Sequence, residues 1–414
     1  MHYMQQDPTH RSHSRLATAA ATTLLLALAA AGCGSTSGGG ASNSGTSHST
    51  GASSAGKVTC SPMAGASGPG VGTKAIGFIY VGSTTDFGYN EAAHDGAKAL
   101  GQACPGLKIL EADSIPETSD MTRAAEQLIG QGAKVIFTTS YGYKDFAVAV
   151  AQKHPDVAVL QQGNFIKPPL PKNANTYFGN VYETVYLAGI AAAKTTKSKK
   201  LGFVAAFAIP QTLLNINAFE LGAQSVDPNI KTYTVFTGSW CDPGKQADAA
   251  RSLLAEGADV LSQHQDCTGT IIKAAEAKGA YSVGYHFNAQ SLAPKGWLTG
   301  SEWNWAPLYG ALFSSIENGQ FATSPFHDNF TIGFASKKYA SPMQLAPYGP
   351  AVGADARGLI TAAKNKILAG RSPFTGPVYD QAGAVKVAKG SAATAEQIST
   401  MSFLVKGVVG TTPK

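Results

Sequence analysis

The chain has 414 residues, of which 44% are hydrophobic and 14% charged, and a formal charge of +6. That apolar share excludes a disordered polymer, and the length allows two domains of ordinary size. The charge is modest and basic residues do not interleave with aromatic ones, which argues against a nucleic-acid partner.

Arg11 and Arg15 precede an apolar run, residues 16–31, that leads into Cys33. A basic flank, a short apolar core and small residues before the cut predict a secretory signal over residues 1–32. The run is Ala-rich and short of the roughly 20 residues that favour a stable membrane span. Ala30-Ala31-Gly32-Cys33 is similar to the lipobox of bacterial lipoproteins, which implies an acylated Cys33 in the bilayer. Ala30 stands where the lipobox usually has Leu, and the plainer alternative is an ordinary signal peptide with a cysteine nearby. Gly, Ser, Thr, Ala and Asn fill residues 34–54, a composition that cannot bury a core and suits a tether. Anchor and linker together are expected over residues 33–72.

The first strand is predicted over residues 75–81, AIGFIYV, a continuous apolar run of the kind a buried parallel strand gives. A polar loop, 82–90, and an Ala-rich helix, 91–102, follow. In open parallel sheets the ligand sits at such a loop. Asp86, Phe87, Tyr89 and Asn90 crowd into it, an inventory that suits a flat polar ligand better than a phosphate. Next come a helix over 121–129 capped by Ser119 or Asp120, a strand over 134–139, and a loop carrying Tyr141 and Tyr143. A helix over 144–154, strands over 157–162 and 176–179 and a helix over 181–194 complete the first half. Glu183, at the start of that last helix, reads as a cap rather than a ligand contact.

The opening unit then repeats at residues 200–225, where Gly202 and Phe203 answer Gly77 and Phe78 and Phe207 lies at the loop. Lys197, Lys199 and Lys200 before it read as a solvated turn. Two such units predict two similar α/β domains around a cleft. The second continues with a strand over 232–236, the loop bearing Trp240, a helix over 245–256 and a strand over 259–263. After these come the loop bearing Asp266, a helix to Ala277 and a strand over 281–285. Asn288 and the run WLTGSEWNW, with Trp303, Asn304 and Trp305, lead into a helix over 306–318. A further helix is predicted over 354–369, and the tail is rich in Gly and Pro.

Cys60, Cys104, Cys241 and Cys267 form an even set in an exported chain, and four cysteines allow three connectivities. Pairing within each half, Cys60 with Cys104 and Cys241 with Cys267, is expected. Cys241 and Cys267 each follow a predicted strand with one helix between, so neighbouring strand ends can join them.

Enzyme chemistries find little support. His264-Gln265-Asp266-Cys267 is a poor metal site if its cysteine is oxidised. The segment 238–245 misses the phosphate-loop spacing, no G-x-S-x-G elbow is present, and His94-Asp95 face different ways on a helix. No cofactor, metal or catalytic residue is expected.

The segments VYETVYLAGIAAAKTTKSKKLGFVAAFAIP, GSWCDPGKQADAARSLLAEGADVLSQHQDC, AEAKGAYSVGYHFNAQ and WLTGSEWNWAPLYGALF, in this order, resemble the basic membrane protein (BMP) family of solute-binding lipoproteins. The closing FTGPVYDQAG and MSFLVKGVVG are similar to that family's tail. The resemblance runs from about Lys74 to the end. It implies the type I periplasmic-binding-protein fold, an α/β fold of two Rossmann-like lobes joined by a three-strand hinge. The expected division is residues 73–182 with 286–320, and 183–285 with 321–414. It further implies an ABC importer's receptor at the outer face of the cell membrane, taking a purine nucleoside or base and handing it to a permease. A sensor that signals occupancy to a membrane partner is the alternative. Stacking then falls to Phe87, Tyr89, Tyr141, Tyr143, Phe207, Trp240, Trp303 and Trp305, and edge recognition to Asp86, Asn90, Asp266, Asn288 and Asn304. After Gly284-Tyr285 the family commonly has an aspartate, for which Asn288 is the expected substitute here; losing the charge puts ribose binding in doubt.

Overall fold

The computed structural model describes residues 57–163 and 166–413, so the signal segment, Cys33 and most of the tether lie outside the described residues. The first lobe opens with β1 (Ala75–Tyr80), α1 (Tyr89–Ala103), β2 (Lys108–Ala112), α2 (Ser119–Gly130), β3 (Val135–Thr139), α3 (Lys144–Lys153), β4 (Ala158–Gln162) and β5 (Ala174–Gly179). The second follows with α4 (Tyr182–Thr195), β6 (Lys200–Ala205), α5 (Pro210–Gln224), β7 (Lys231–Phe236), α6 (Pro243–Ala255), β8 (Val260–His264), α7 (Gly269–Ala277), β9 (Tyr281–Gly284) and β10 (Trp297–Trp303). Then come α8 (Ala306–Glu317), β11 (Asp328–Ile332), β12 (Met343–Leu345), α9 (Ala354–Leu368), β13 (Val378–Tyr379), β14 (Val385–Val387), α10 (Ala395–Ser399) and β15 (Val408–Val409).

One sheet has the order β11-β5-β4-β3-β1-β2 and the other β12-β10-β9-β8-β6-β7-β15. Within each, the chain starts at an inner strand, β1 or β6, steps outward to β2 or β7, and then doubles back. Both lobes therefore share one doubly wound order, and the duplicated opening is the topological switch point of each. The pairings are parallel except β10 with β12 and the small β13–β14 ribbon. β1 is buried along its whole length, as its unbroken apolar run requires. β2 is an edge strand whose Lys108 and Glu111 face water. That half-exposed pattern hides it from an apolar-run reading, as the edge position also hides β11 and β12.

The chain crosses between lobes three times: from β5 to α4, from β10 to α8, and from β11 to β12. This corrects the expected division. Residues 297–303 belong to the second sheet, where β10 pairs with β9, and residues 328–332 to the first, where β11 pairs with β5. Helix α8 returns to pack on α1. Strand pairing decides membership, and edge strands are donated across the hinge. Glu183 clamps this hinge: its carboxylate accepts the N–H of Phe334 at 2.7 Å and Asn180 Nδ2 at 3.4 Å. The cap of α2 is Thr118, whose Oγ1 accepts the Asp120 N–H at 3.2 Å, rather than Ser119 or Asp120.

Disulfides join Cys60 to Cys104 and Cys241 to Cys267. The first holds the segment before β1 against the end of α1. The second ties the loops that leave β7 and β8. The tail folds back onto α5: Asn217 Nδ2 donates to the Phe403 carbonyl at 2.8 Å and Gln224 Nε2 to that of Lys406 at 2.8 Å, while β15 extends the sheet beside β7. Between them lies Glu220, fully buried, taking Thr232 Oγ1 at 2.6 Å and Gln224 Nε2 at 2.6 Å. No helix among the described residues is long and apolar enough to cross a membrane.

Two outcomes follow from this packing. Helices α4 and α5 meet backbone to backbone, and a methyl at Gly222 would strike the Tyr186 carbonyl. Gly222→Ala is expected to destabilise the second lobe by about 1–3 kcal/mol, read by denaturant unfolding. Burial pushes the Glu220 carboxyl up to about 7. The folded state thus holds this proton more tightly than the unfolded chain, and the stability it contributes at acid pH is lost as pH rises through about 7. Glu220→Gln should therefore raise the melting temperature at pH 8 relative to wild type and change it little at pH 5.

Candidate functional site

The carboxyl ends of β1, β3, β6, β8 and β9 converge on one interlobe gap. Tyr89, Ser140, Tyr141 and Phe178 line it from the first lobe, and Gln211, Trp240, His264, Asp266 and His286 from the second. The gap holds about 300 Å³, part of it open to solvent.

Among the described residues, three hydrogen bonds cross the gap. Thr268 Oγ1 donates to the Phe87 carbonyl at 2.5 Å, Trp240 Nε1 to Glu117 Oε2 at 3.1 Å, and Asn90 Nδ2 reaches Asp266 Oδ2 at 3.4 Å. Glu117 is held for this: Ser140 Oγ and the Gly142 N–H donate to its other oxygen at 2.5 and 2.6 Å. The loops approach so closely that a side chain at Gly88 would collide with the Asp266 carbonyl. Phe87 (φ 53°) and His286 (φ 67°) both take the left-handed backbone region. Such strain collects where a loop must aim a side chain. The Cys241–Cys267 bridge joins the residues that follow Trp240 and Asp266, and the Asp266 N–H donates to the Trp240 carbonyl at 2.9 Å. Stacker and acid are thus one rigid piece.

Burial sets the protonation states. It lowers His264 to about 3, and its Nδ1 lies 3.0 Å from Asn215 Nδ2. Burial, and then His264, also lowers His286, whose Nδ1 accepts the Trp303 indole N–H at 2.7 Å. A neutral ring that accepts at Nδ1 carries its proton on Nε2. Burial pushes Asp86 up to about 6, against hydrogen bonds from Asn90, Glu91 and Gly88 that favour its ionised form. Asp266 is raised well above the carboxylate range by burial first and the Asp86 charge second.

Of the residues singled out from sequence, Tyr89, Tyr141, Trp240 and Asp266 face the gap. Asp86 and Asn90 sit one layer behind, both buried. Phe87 is 38% exposed at the lip, its ring 6.2 Å from Phe287. Phe207 backs Trp240 edge to face at 4.9 Å. Trp303 acts at one remove, through His286, and stacks on Trp305 at 4.3 Å. Others belong elsewhere. Trp305 is core, stacked on Tyr309. Tyr143 is fully buried in the first lobe, its hydroxyl donating to the Ile115 carbonyl. Asn304 is exposed, and its N–H donates to the Pro342 carbonyl at 2.7 Å. Asn288 makes a local turn, accepting the Gln290 N–H at 3.2 Å; the cleft position after Tyr285 is His286. Sequence reading passed over Ser140, Phe178, Gln211, His264 and His286, which line the gap, and Glu117, which holds the Trp240 indole. Four of these lie at or just past a strand's carboxyl end, a rule that would have found Ser140, Phe178, His264 and His286.

A family model described as "ABC transporter substrate-binding protein PnrA-like", the Bmp family, matches residues 73–328. A purine-binding protein of Brucella abortus (strain 2308) is 31% identical over 336 residues, 80% of this chain and 92% of that one. A protein of Haloferax volcanii, named for glucose binding by an ABC transporter, is 30% identical over 302 residues, 73% of this chain and 74% of that one. Among solved structures, an ABC transporter solute-binding protein from Aeropyrum pernix K1 superposes with a TM-score of 0.62 at 16% identity, covering 72% of this chain and 91% of that one. The fold is that of type I periplasmic binding proteins, and the chain belongs to the Bmp family of PnrA-like ABC transporter substrate-binding proteins.

Proposed function

We propose that this chain captures a purine in the interlobe cleft and delivers it to an ABC permease, tethered outside the membrane by acylated Cys33. The observation that carries the reading is the pairing of Trp240 with a buried acid, Asp266, in a gap walled by Tyr89, Tyr141 and Phe178. A purine needs aromatic faces for its ring and a few aimed polar groups for its rim. The similarity to a purine-binding protein along nearly all of that protein's length supports the same ligand class. The tight closure and the neutral His286 favour a free base over a nucleoside, because neither leaves a charged acceptor for a sugar's hydroxyls. Closure is ligand-driven in this reading: each lobe supplies part of the lining, so a bound ring favours the shut state over the open one.

Isothermal titration of the purified protein with adenine, guanosine and glucose tests the ligand class. Micromolar or tighter binding of adenine is the expected result; binding of glucose alone would overturn the purine reading. Trp240→Ala should weaken adenine binding by roughly tenfold to a hundredfold, the loss of about 1–3 kcal/mol of base stacking. Glu117→Gln should keep the fold and release adenine about fivefold faster in stopped-flow dissociation, since the amide offers one acceptor oxygen to the three donors of Ser140, Gly142 and Trp240.

A further inference from the structure

Asp86 from the first lobe, one layer behind the gap, and Asp266 from the second, on its wall, share a single amide. Asn90 Nδ2 stands 2.8 Å from Asp86 Oδ2 and 3.4 Å from Asp266 Oδ2. The two acids are 8% and 4% exposed for Asp86 and Asp266 respectively. The charges acting on Asp266 are themselves acids, Asp86 and, from the loop before α2, Glu117. The other titratable groups around it carry no balancing charge. Tyr89 on α1, Tyr143 after β3 and Tyr285 after β9 are held protonated by burial. His264 on β8 and His286 after β9 are held neutral by it. Two carboxylates bridged by one amide in so buried a place, without a cation beside them among the described residues, cannot both stay ionised.

The hydrogen bonds decide which of them yields. Asp86 accepts the N–H groups of Gly88, Asn90 and Glu91 at 2.8, 3.2 and 3.1 Å, as well as the Asn90 amide, at the start of α1. Four donors and a helix N-terminus stabilise its charge. Among the described residues the Asp266 carboxyl has one long bond, to Asn90, and it alone of the pair lines the cavity. We propose that closing the cleft places a proton on Asp266, and that this neutral acid donates to an acceptor nitrogen on the ligand's rim while its carbonyl oxygen accepts from an adjacent N–H. With the jaws apart Asp266 meets water, loses its acidic neighbour and ionises as an ordinary carboxylate. Capture therefore consumes one proton from solvent, and release returns it. The ligand class this selects is a heterocycle edge with an acceptor nitrogen beside a donor, as in adenine. The identity of the ligand rests on the purine reading above; the uptake of the proton does not.

The test is calorimetric titration of the full-length chain in detergent with adenine at pH 7, in two buffers of different ionisation enthalpy. The expected result is an uptake of about one proton per adenine bound, with affinity falling about tenfold per pH unit between pH 7 and 8. Asp266→Asn, whose amide donates without titrating, should bind with uptake near zero and an affinity level across that range. Adenine binding with heats independent of buffer would overturn the proposal and leave the purine reading standing. Uptake that persists in Asp266→Asn would also overturn it, since another group would then carry the proton. Uptake of one proton with glucose, and no binding of adenine, would overturn the purine reading and support the proton coupling.

Discussion

The cleft depends on how near two loops come to each other across it. The turn between β1 and α1 presses on the turn after β8, with the Thr268 hydroxyl on the Phe87 carbonyl and no room for a side chain at Gly88. At that separation water is squeezed out, and the polar groups in the gap lose their solvent. The neutral histidines and the raised acids go with that burial, and among the described residues three hydrogen bonds bridge the gap.

The rigidity behind this contact comes from the second lobe. Trp240 and Asp266 sit on separate loops, yet a disulfide and a backbone hydrogen bond join those loops next to both residues. The first lobe answers with Glu117, which is fixed by Ser140 and Gly142 before it meets the indole. Each jaw thus presents a preset half-site. In the proposed reading, binding then spends little on ordering side chains.

Polar residues supporting the aromatics form a second layer. Trp303 does not touch the gap but orients His286, and Asn215 does the same for His264. Both histidines therefore act as neutral donors or acceptors of set direction. This arrangement explains why a segment as aromatic as WLTGSEWNW contributes structure more than contact: Trp303 and Trp305 stack into the wall and core that hold the hinge.

Much of this protein was legible along the chain. Most of the buried parallel strands, the repeated strand–loop–helix opening, the Cys241–Cys267 pairing and the loops bearing Trp240 and Asp266 follow from local pattern, because burial on both faces and helical periodicity are written in neighbouring residues; β10, buried and interior, was missed because Gly300, Ser301 and Glu302 interrupt its apolar run. The edge strands β2, β11 and β12 were not legible either, since one exposed side removes the unbroken apolar signature. Tyr143, Asn304 and Trp305 look like Tyr141, Asn288 and Trp303 in sequence, and only the direction each takes off its strand end separates core, surface and wall. Lobe membership of 297–332 was also beyond local pattern, because it is settled by which strand accepts the hydrogen bonds. The sequence alone determined that a strand–loop–helix opening is used twice to build two alike α/β lobes. Tertiary structure alone decided which carboxyl lies opposite which, and so where charge survives, because desolvation depends on neighbours far apart in the chain.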